Sequence, residues 1–393
     1  MIELERIPVT SPAGVSVFQK ILTHGPIARI DVARSTGLSQ AAVTKAVTPL
    51  VDGGFVVHAT QGADRVETPG RPVSPLVVAN NRAHVIGVKV TAETVYATLT
   101  DLSAQRIAST TRSTRSANVD DVLGAVQSAV ADLQQTTPHY AITGLGISVS
   151  GDVDTHNGIV RHSALMGWRN IKLRDLLEDR LQLAVVVEND VRAFTVAEQM
   201  FGLGADASSF AVVTIGEGIG CGIFTNGDIV EGAHGVSGEI GHLPLAPRNL
   251  ICSCGRRGCV ETIASSTSII ERIRKSTGDK GLSLQEAIDL AHAGDHKARE
   301  AFEEAGHVIG AALSALVNLL GPELVIIAGE GVAEYDLYEA RIRRTFQEHA
   351  FGAALDCQIV VQSHTFDDWA RGAAVTVIRE IARGDKKMRT PAS

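Results

Sequence analysis

The chain has 393 residues, of which 45% are apolar and only 4% are aromatic, an aliphatic composition that suits α/β cores and argues against disorder. Its formal net charge of −8 is unevenly placed, because residues 1–80 carry seven Lys/Arg and six Asp/Glu (+1) whereas the other 313 residues carry 29 and 38 (−9). An acidic body argues against a protein that binds polyanions over its whole surface, while a near-neutral head leaves room for DNA binding through a few placed contacts.

The pattern of residues 1–80 predicts three helices followed by a β-hairpin. Apolar residues at helical spacing predict a first helix that ends at a Gly-Pro pair and a short second helix that ends at a glycine turn. Ser39 is expected to cap a third helix, on which Gln40, Thr44 and Lys45 point away from the apolar face. This order is the helix-turn-helix pattern, whose last helix enters the major groove. We therefore predict that Gln40, Thr44 and Lys45 contact DNA.

Pro49 and the residues after it shape the end of this head. A proline inside a helix removes a hydrogen bond and kinks the chain, so the third helix is expected to end near Thr48. Apolar runs at 54–58 and 73–78 flank a polar tip and predict a β-hairpin wing, in which Arg71 is placed to reach a minor groove or a phosphate. An ordinary packing or dimerisation module is the alternative for a small helical head.

From about residue 84 the chain alternates short apolar runs with helical stretches, which predicts an α/β body. Strands are expected near residues 85–88, 144–149, 185–187, 211–215 and 324–327. Ligands of open α/β sheets gather beyond the carboxyl ends of strands, and Asn189 and Asp190 follow such an end. A carboxylate beside an amide binds sugar hydroxyls well, although either residue alone is equally compatible with a capped strand end.

Three of the five cysteines, Cys252, Cys254 and Cys259, fall within eight positions, and His242 precedes the first of them by ten residues. Thiolates gathered this closely beside a histidine match the tetrahedral ligation of a structural zinc ion. The alternative is a disulfide such as Cys252–Cys259, which requires an oxidising compartment. Residues 1–6 lack the features of a signal peptide and no apolar run is long enough to span a bilayer, so we expect a cytoplasmic protein that binds zinc and no membrane.

The segment around these cysteines is a long motif, GAHGVSGEIGH at 232–242 followed by CSCGRRGCVE at 252–261. It closely resembles the signature of the ROK family, which is named after repressors, open reading frames and kinases. The resemblance implies an α/β fold, an actin/hexokinase-like two-lobed body, here preceded by the winged helix-turn-helix head. The expected domains are the head at 1–80, the first lobe at 81–203 and the second lobe with the zinc motif at 204–393.

The resemblance also implies the site residues. Structural zinc would be held by His242, Cys252, Cys254 and Cys259. The sugar pocket would comprise Gly151, Asn189, Asp190, Glu239, His242 and Glu261. In family kinases the aspartate that matches Asp190 is the general base that takes a proton from the attacked hydroxyl. The triplet Gly70-Arg71-Pro72 is one that ROK regulators characteristically show in the wing.

The kinase pattern breaks at the first of two glycine-bearing phosphate loops. Where active members have Asp-x-Gly-Gly-Thr-Lys, this chain has Lys89-Val90-Thr91-Ala92-Glu93-Thr94, so the magnesium-organising aspartate becomes a lysine and a glutamate enters the phosphate space. Because phosphoryl transfer depends on positioning and charge neutralisation, we predict that the body is not an enzyme. The second loop survives at 214–222, although its glycines also suit a tight hairpin, and Gly329-Glu330-Gly331 keeps part of a further glycine run.

The leading hypothesis is a sugar-responsive transcriptional repressor whose head binds operator DNA and whose body binds a sugar without phosphorylating it. Two-fold dimers recognise two half-sites, so a homodimer or a dimer of dimers is expected. A neutral or amino sugar is expected in preference to a sugar phosphate, although Lys89 could hold a distal phosphate. The alternatives are an ATP-dependent sugar kinase with an N-terminal extension, which Asp190 favours and residues 89–94 oppose, and a zinc-stabilised interaction protein without a ligand.

Overall fold

The computed structural model describes residues 7–9, 11–59 and 74–384. The helices and strands given below are those of the described residues. No helix among them has both the length and the apolar character needed to cross a membrane.

The chain folds into two compact units, each with most of its contacts within itself. The first comprises Met1–Ala193 together with Phe366–Ser393, and the second comprises Phe194–Thr365. Residues from Phe366 onward are therefore grouped with the first unit. The boundaries expected from the sequence instead assign them to the second lobe, at 204–393.

The first elements of the chain are three helices and a two-stranded antiparallel sheet. They are α1 (Pro12–His24), α2 (Arg29–Thr36), α3 (Gln40–Asp52), β1 (Val56–His58) and β2 (Leu76–Val78). The hydroxyls of Ser11 and Ser39 accept hydrogen bonds from backbone amides three residues later (3.1 and 3.2 Å), which confirms the expected cap at Ser39. Between α2 and α3, Gly37 has φ 68°, the left-handed conformation that the glycine turn requires.

Helix α3 continues through Pro49 to Asp52, so the expected end near Thr48 is wrong. Pro49 and Lys45, whose carbonyl loses its intrahelical partner, both occupy exposed positions where water can supply the missing hydrogen bond. Beyond the proline, Leu50 is fully buried. Burial of a leucine side chain stabilises by about 1.5–3 kcal/mol, comparable with the roughly 3 kcal/mol that an interior proline costs. Packing of Leu50 therefore offsets the local effect of Pro49.

Strands β1 and β2 pair in the way expected for the hairpin, with Val56 opposite Val78 and His58 opposite Leu76. The expected polar tip of this hairpin lies outside the described residues, and so does Arg71.

Eight further strands build the sheets of the first unit. They are β3 (His84–Val90), β4 (Thr94–Asp101), β5 (Arg106–Ser113), β6 (Ile142–Val149), β7 (Asp152–Asp154), β8 (Ile159–Ser163), β9 (Trp168–Ile171) and β10 (Val185–Asn189). One sheet has the order β10-β6-β3-β4-β5 and the other the order β7-β8-β9. Helices α4 (Val119–Thr136) and α5 (Leu173–Leu181) complete the core of this unit. Because β3, β6 and β10 are parallel, their carboxyl ends meet at one edge of the sheet.

The second unit is built around one five-stranded sheet. Its strands are β11 (Phe210–Ile215), β12 (Ile219–Thr225), β13 (Asp228–Ile229), β14 (Leu324–Ala328) and β15 (Gln358–Val361), in the order β13-β12-β11-β14-β15. The helices that follow β10 in the chain are α6 (Asp190–Phe201), α7 (Glu261–Ala264), α8 (Ser266–Thr277), α9 (Leu284–His292), α10 (His296–Leu320) and α11 (Asp336–His349). Side chains of α10 and of the sheet contribute to a shared apolar core.

The last helix, α12 (Phe366–Arg383), packs on the sheet of the first unit because two glycines let it approach. Gly87 on β3 pairs with Gly146 on β6. A Cβ on Gly87 would lie 1.9 Å from the carbonyl oxygen of Ala370, and one on Gly146 would lie 1.9 Å from that of Ala373. A side chain at either position would push the helix off the sheet, so this contact explains why the C-terminal helix belongs to the first unit.

We expect Gly146→Ala to lower the free energy of unfolding by about 1–3 kcal/mol, because its methyl group would collide with the backbone of α12. Gly124→Ala on α4 is the matched control, since a Cβ there meets nothing within 4 Å. The control should raise stability by about 0.5–1 kcal/mol, because alanine suits a helix interior better than glycine. Chemical denaturation measures both changes, and equal stability of the two variants would contradict the close approach of α12.

Candidate functional site

Asn189 and Asp190 lie at the junction of β10 and α6. The side-chain amide of Asn189 donates to the carbonyl of Gly151 (3.0 Å), and its oxygen accepts from the amide of Arg192 (3.1 Å). Gly151 has φ 114°, and a Cβ there would lie 2.4 Å from the carbonyl oxygen of His162, so the position excludes any side chain. The structure thus brings together the three predicted sugar-binding residues of the first unit.

A buried ion pair between Glu188 and Arg192 supports this junction. Their side chains are 2% and 6% exposed, and the shortest nitrogen to oxygen distance is 2.7 Å. The hydroxyl of Thr155 donates to Glu188 (2.8 Å) and accepts from Arg192 (3.1 Å). Buried charges are tolerated when their remaining hydrogen bonds are satisfied in this way. Glu188 directly precedes Asn189 in the chain, but its spacing from Arg192 and Thr155 gives no sign of this network.

Lys89 pairs with Asp190, a contact that the sequence analysis does not predict. Both residues are buried, and the Lys89 ammonium donates a hydrogen bond to Oδ2 of Asp190. The same ammonium lies 5.3 Å from the centre of the Trp369 ring, within cation–π range. The other oxygen of Asp190 accepts from the amide of Val191 (2.9 Å). The charge of the Asp190 carboxylate is therefore neutralised by a lysine.

His242, Cys252, Cys254 and Cys259 lie together in the second unit, with their ligand atoms all within 4.8 Å of one another. Cys254 Sγ is 3.7 Å from Cys259 Sγ, and Cys252 Sγ is 3.7 Å from His242 Nδ1. A tetrahedral zinc site with bonds of about 2.3 Å to sulfur and 2.0–2.1 Å to nitrogen has ligand separations of about 3.5–3.8 Å. The four donors therefore fit zinc. All five cysteines are free thiols, so the alternative disulfide is not formed.

The ionisation of the cysteines also suits a bound cation. Burial raises the pKa of Cys259 to about 12, and its contacts with the Cys254 and Cys252 thiols add to the rise. Burial acts in the same direction on Cys254, but hydrogen bonds from the backbone of Arg256 and from the neighbouring thiols lower the pKa of Cys254 overall. One thiolate thus suppresses ionisation of the next. A divalent cation removes this conflict because coordinated thiols are deprotonated.

Glu261 links the cysteine cluster to the glycine-rich loop. Its Oε1 accepts from the amide of Ile219 (3.0 Å), while its Oε2 lies 3.8 Å from His242 Nδ1 and 4.0 Å from Cys252 Sγ. Glu239 lies at the other ring nitrogen, with Oε2 3.8 Å from Nε2 of His242. The three predicted sugar-binding residues of the second unit therefore form one group around the imidazole.

The predicted second phosphate loop is the turn that joins β11 to β12, at residues 216–218. The Glu330 carboxylate lies against this turn, since a Cβ on Gly216 would lie 2.1 Å from its Oε2. Glu261 lies against the same turn, with Oε1 2.9 Å from the position of a Cβ on Gly218. A phosphate group at this turn would lie near two carboxylates, and like charges at short range repel one another. The sequence signal for this contact is Glu330 itself, which interrupts the glycine run at 329–331.

The outer face of α3 carries Gln40, Thr44 and Lys45, and all three are exposed. The opposite face is fully buried at Val43, Val47 and Leu50. The predicted DNA contacts of this helix therefore share one accessible surface, whereas the fourth, Arg71, lies outside the described residues.

This chain is similar to several transcriptional regulators. It matches the model of the ROK family over residues 85–380. It is 29% identical over 380 residues to the DNA-binding transcriptional dual regulator NagC of Escherichia coli K12, which covers 94% of this chain and 93% of that protein. It is 28% identical over 331 residues to the xylose repressor of Bacillus spizizenii, which covers 83% of this chain and 84% of the repressor.

Two solved structures are also similar to this chain. A ROK family transcriptional regulator, a homologue of the Escherichia coli MLC protein, has a TM-score of 0.80 at 26% identity and covers 94% of this chain and 96% of its own. A ROK family glucokinase from Streptomyces griseus, in complex with glucose and AMPPNP, has a TM-score of 0.65 at 26% identity and covers 74% of this chain and 98% of the kinase. These likenesses confirm the expected fold class. Since the family model matches well over half of the residues, the chain belongs to the ROK family.

Proposed function

We propose that this chain is a sugar-responsive, DNA-binding transcriptional repressor whose body binds a sugar without phosphorylating it. The observation that carries the proposal is the extent of the likeness to regulators, which at 94% of the chain takes in most of the N-terminal head as well as the body. The likeness to a glucokinase leaves about a quarter of the chain uncovered. Three helices followed by an antiparallel hairpin have the order of a winged helix-turn-helix, with α3 as the helix that enters the major groove.

Selection of genomic DNA fragments by the purified protein, with and without candidate sugars, tests this function. We expect enriched fragments to share paired half-sites, because a two-fold dimer presents two heads, and we expect one sugar to change the enrichment. Enrichment no greater than for random DNA, or enrichment that no sugar alters, would contradict the proposal. Light scattering checks the homodimer or dimer of dimers that we propose with it. The proposed location is the cytoplasm, where an operator is accessible.

The proposed sugar-binding groups are carboxylates, an amide and an imidazole, which match hydroxyls that both donate and accept hydrogen bonds. Gly151, Asn189 and Asp190 supply them in the first unit. Glu239, His242 and Glu261 supply them in the second.

Glu239→Gln should weaken binding of the effector sugar by about 10- to 100-fold, because a hydrogen bond to a charged group contributes about 1.5–3 kcal/mol. The Glu239 side chain is 52% exposed, so the variant should melt at the parent temperature without sugar. Glu303→Gln, an exposed position on α10, is the matched control and should bind sugar normally. Isothermal titration gives the three dissociation constants, and equal values would remove Glu239 from the sugar site.

We propose that His242, Cys252, Cys254 and Cys259 hold one structural zinc ion, because their donor atoms have tetrahedral spacing. Four protein ligands leave no open position, so the ion would act by fixing the fold. The ion would hold the segment that contains His242 next to the loop that precedes Glu261.

An ATP-dependent sugar kinase is the second candidate, favoured by Asp190 and by the likeness to a glucokinase. Two contacts oppose it. Lys89 forms an ion pair with Asp190, and Glu330 lies against the turn that would receive phosphate.

We expect no sugar-dependent ATP hydrolysis by the zinc-loaded protein in a coupled assay across common hexoses. A base neutralised by lysine and a turn lined by carboxylates lack the positioning and charge neutralisation that phosphoryl transfer requires. Turnover in the usual enzyme range of about 1–1,000 per second on any sugar would favour the kinase instead.

A further inference from the structure

We propose that Lys89 and Asp190 act together as a donor–acceptor pair that binds a hydroxyl of an uncharged ligand, which makes Lys89 a specificity-determining residue. The inference rests on the proposed function, because it concerns the effector sugar of the same site.

The pair retains unused hydrogen-bonding capacity. A lysine ammonium has three donors, and the described residues offer it one acceptor, Oδ2 of Asp190. The Asp190 carboxylate has about four acceptor positions and accepts one bond on each oxygen, from Lys89 and from the amide of Val191. Their side chains keep 8% and 10% of their surface accessible, so the pair is not fully sealed from solvent. A hydroxyl that donates to the carboxylate and accepts from the ammonium would satisfy the two together.

Stability alone does not account for this pair. Burying two charges removes their hydration, and their mutual attraction only roughly offsets this loss. Apolar residues of similar volume often stabilise a fold as well or better. Trp369 lies beside the ammonium and adds a cation–π contact that fixes its position. A buried, oriented donor beside an oriented acceptor is the arrangement that recognises a hydroxyl and discriminates against groups unable to do both.

The charges around the junction favour a ligand without phosphate. Lys89 is neutralised by Asp190, and the neighbouring Arg192 is neutralised by Glu188. Each of these two cations is therefore already paired with a carboxylate. A phosphate on the bound hydroxyl would bring about −1.5 to −2 charges next to the Asp190 carboxylate. The structure therefore assigns an uncharged polyol to this site rather than its phosphate ester.

The experiment compares the zinc-loaded full-length protein with Lys89→Met, which keeps an unbranched side chain, one atom shorter, and removes its charge and donors. Lys172→Met, at an exposed position of the same unit, is the control. Isothermal titration is carried out with glucose, N-acetylglucosamine, xylose and the 6-phosphates of the two hexoses. We expect the parent and the control to bind one uncharged sugar at least about tenfold more tightly than any phosphate, and Lys89→Met to bind it about 10- to 100-fold more weakly.

Lys89→Met leaves a buried carboxylate without its partner and can fail to fold for that reason alone. The double variant Lys89→Met/Asp190→Asn removes both charges and should fold, while it too should lose the preference for the uncharged sugar. Parent-like affinity in either folded variant, or tighter binding of a phosphate by the parent, would overturn the role of Lys89 and leave the repressor function standing. If instead the parent bound none of the five compounds and none altered its binding to DNA, the proposed sugar response itself would be wrong.

Discussion

Replacing Cys254 by serine is expected to remove the zinc ion and to lower the free energy of unfolding by more than about 4 kcal/mol. Losses of this size come from few mechanisms, and loss of a structural metal is one of them. Zinc binding contributes about 10–16 kcal/mol to the folding of zinc-finger peptides, since no preformed site exists in the unfolded chain. Sugar binding should weaken as well, because Glu261 follows Cys259 closely and lies beside His242 and Cys252.

Cys357→Ser is the matched control, because Cys357 lies in the same unit outside the cluster and is only partly buried. It should retain the metal. Metal analysis of protein purified without chelator should give one zinc per chain for the parent and the control, and much less for Cys254→Ser. Clearly less than one zinc per chain in the parent would refute the site.

The zinc affinity should fall as the pH is lowered, because protons compete with the metal for the thiolates. The cluster makes this competition strong, since burial and the adjacent thiols raise the pKa of Cys259 to about 12 when no cation is bound.

Replacing Gln40 and Thr44 together by alanine should reduce the preference for the operator over random DNA by at least about thirtyfold. Each good base contact contributes about 1–3 kcal/mol of discrimination, so two contribute at least about 2 kcal/mol. Both side chains are exposed on α3, so the fold should be unaffected. Fluorescence anisotropy with operator and scrambled duplexes measures the ratio.

Lys45→Ala should act differently if the lysine contacts a phosphate. It should weaken binding to all sequences alike and reduce the slope of log affinity against log salt by about one. Lys275→Ala, at an exposed position on α8, is the control for a lost surface charge. Unchanged DNA affinity in a chain without residues 1–80 would show that the head is not the DNA-binding part.

The sequence by itself determined the features that depend on neighbouring residues. Ser39 caps α3 because an N-cap needs only the amides that follow it. The cysteine cluster was predictable because Cys252, Cys254 and Cys259 are held within one short loop, and only His242 has to be brought to them. The buried strands followed from runs of apolar residues, which reflect burial directly.

The tertiary structure alone decided the contacts that join distant parts of the chain. Lys89 and Asp190 meet because β3 and β10 run parallel in one mixed sheet. The residues at 89–94 by themselves do not show which partner Lys89 finds. Glu330 reaches the turn at Gly216 because β11 and β14 are paired neighbours. Helix α3 continues past Pro49 because Leu50 is buried beyond it. Helix α12 packs in the first unit because Gly87 and Gly146 let it approach the sheet. Local helix propensity includes neither of these packing contributions. Strand order and helix packing set these contacts, and neither is encoded in the spacing of residues along the chain.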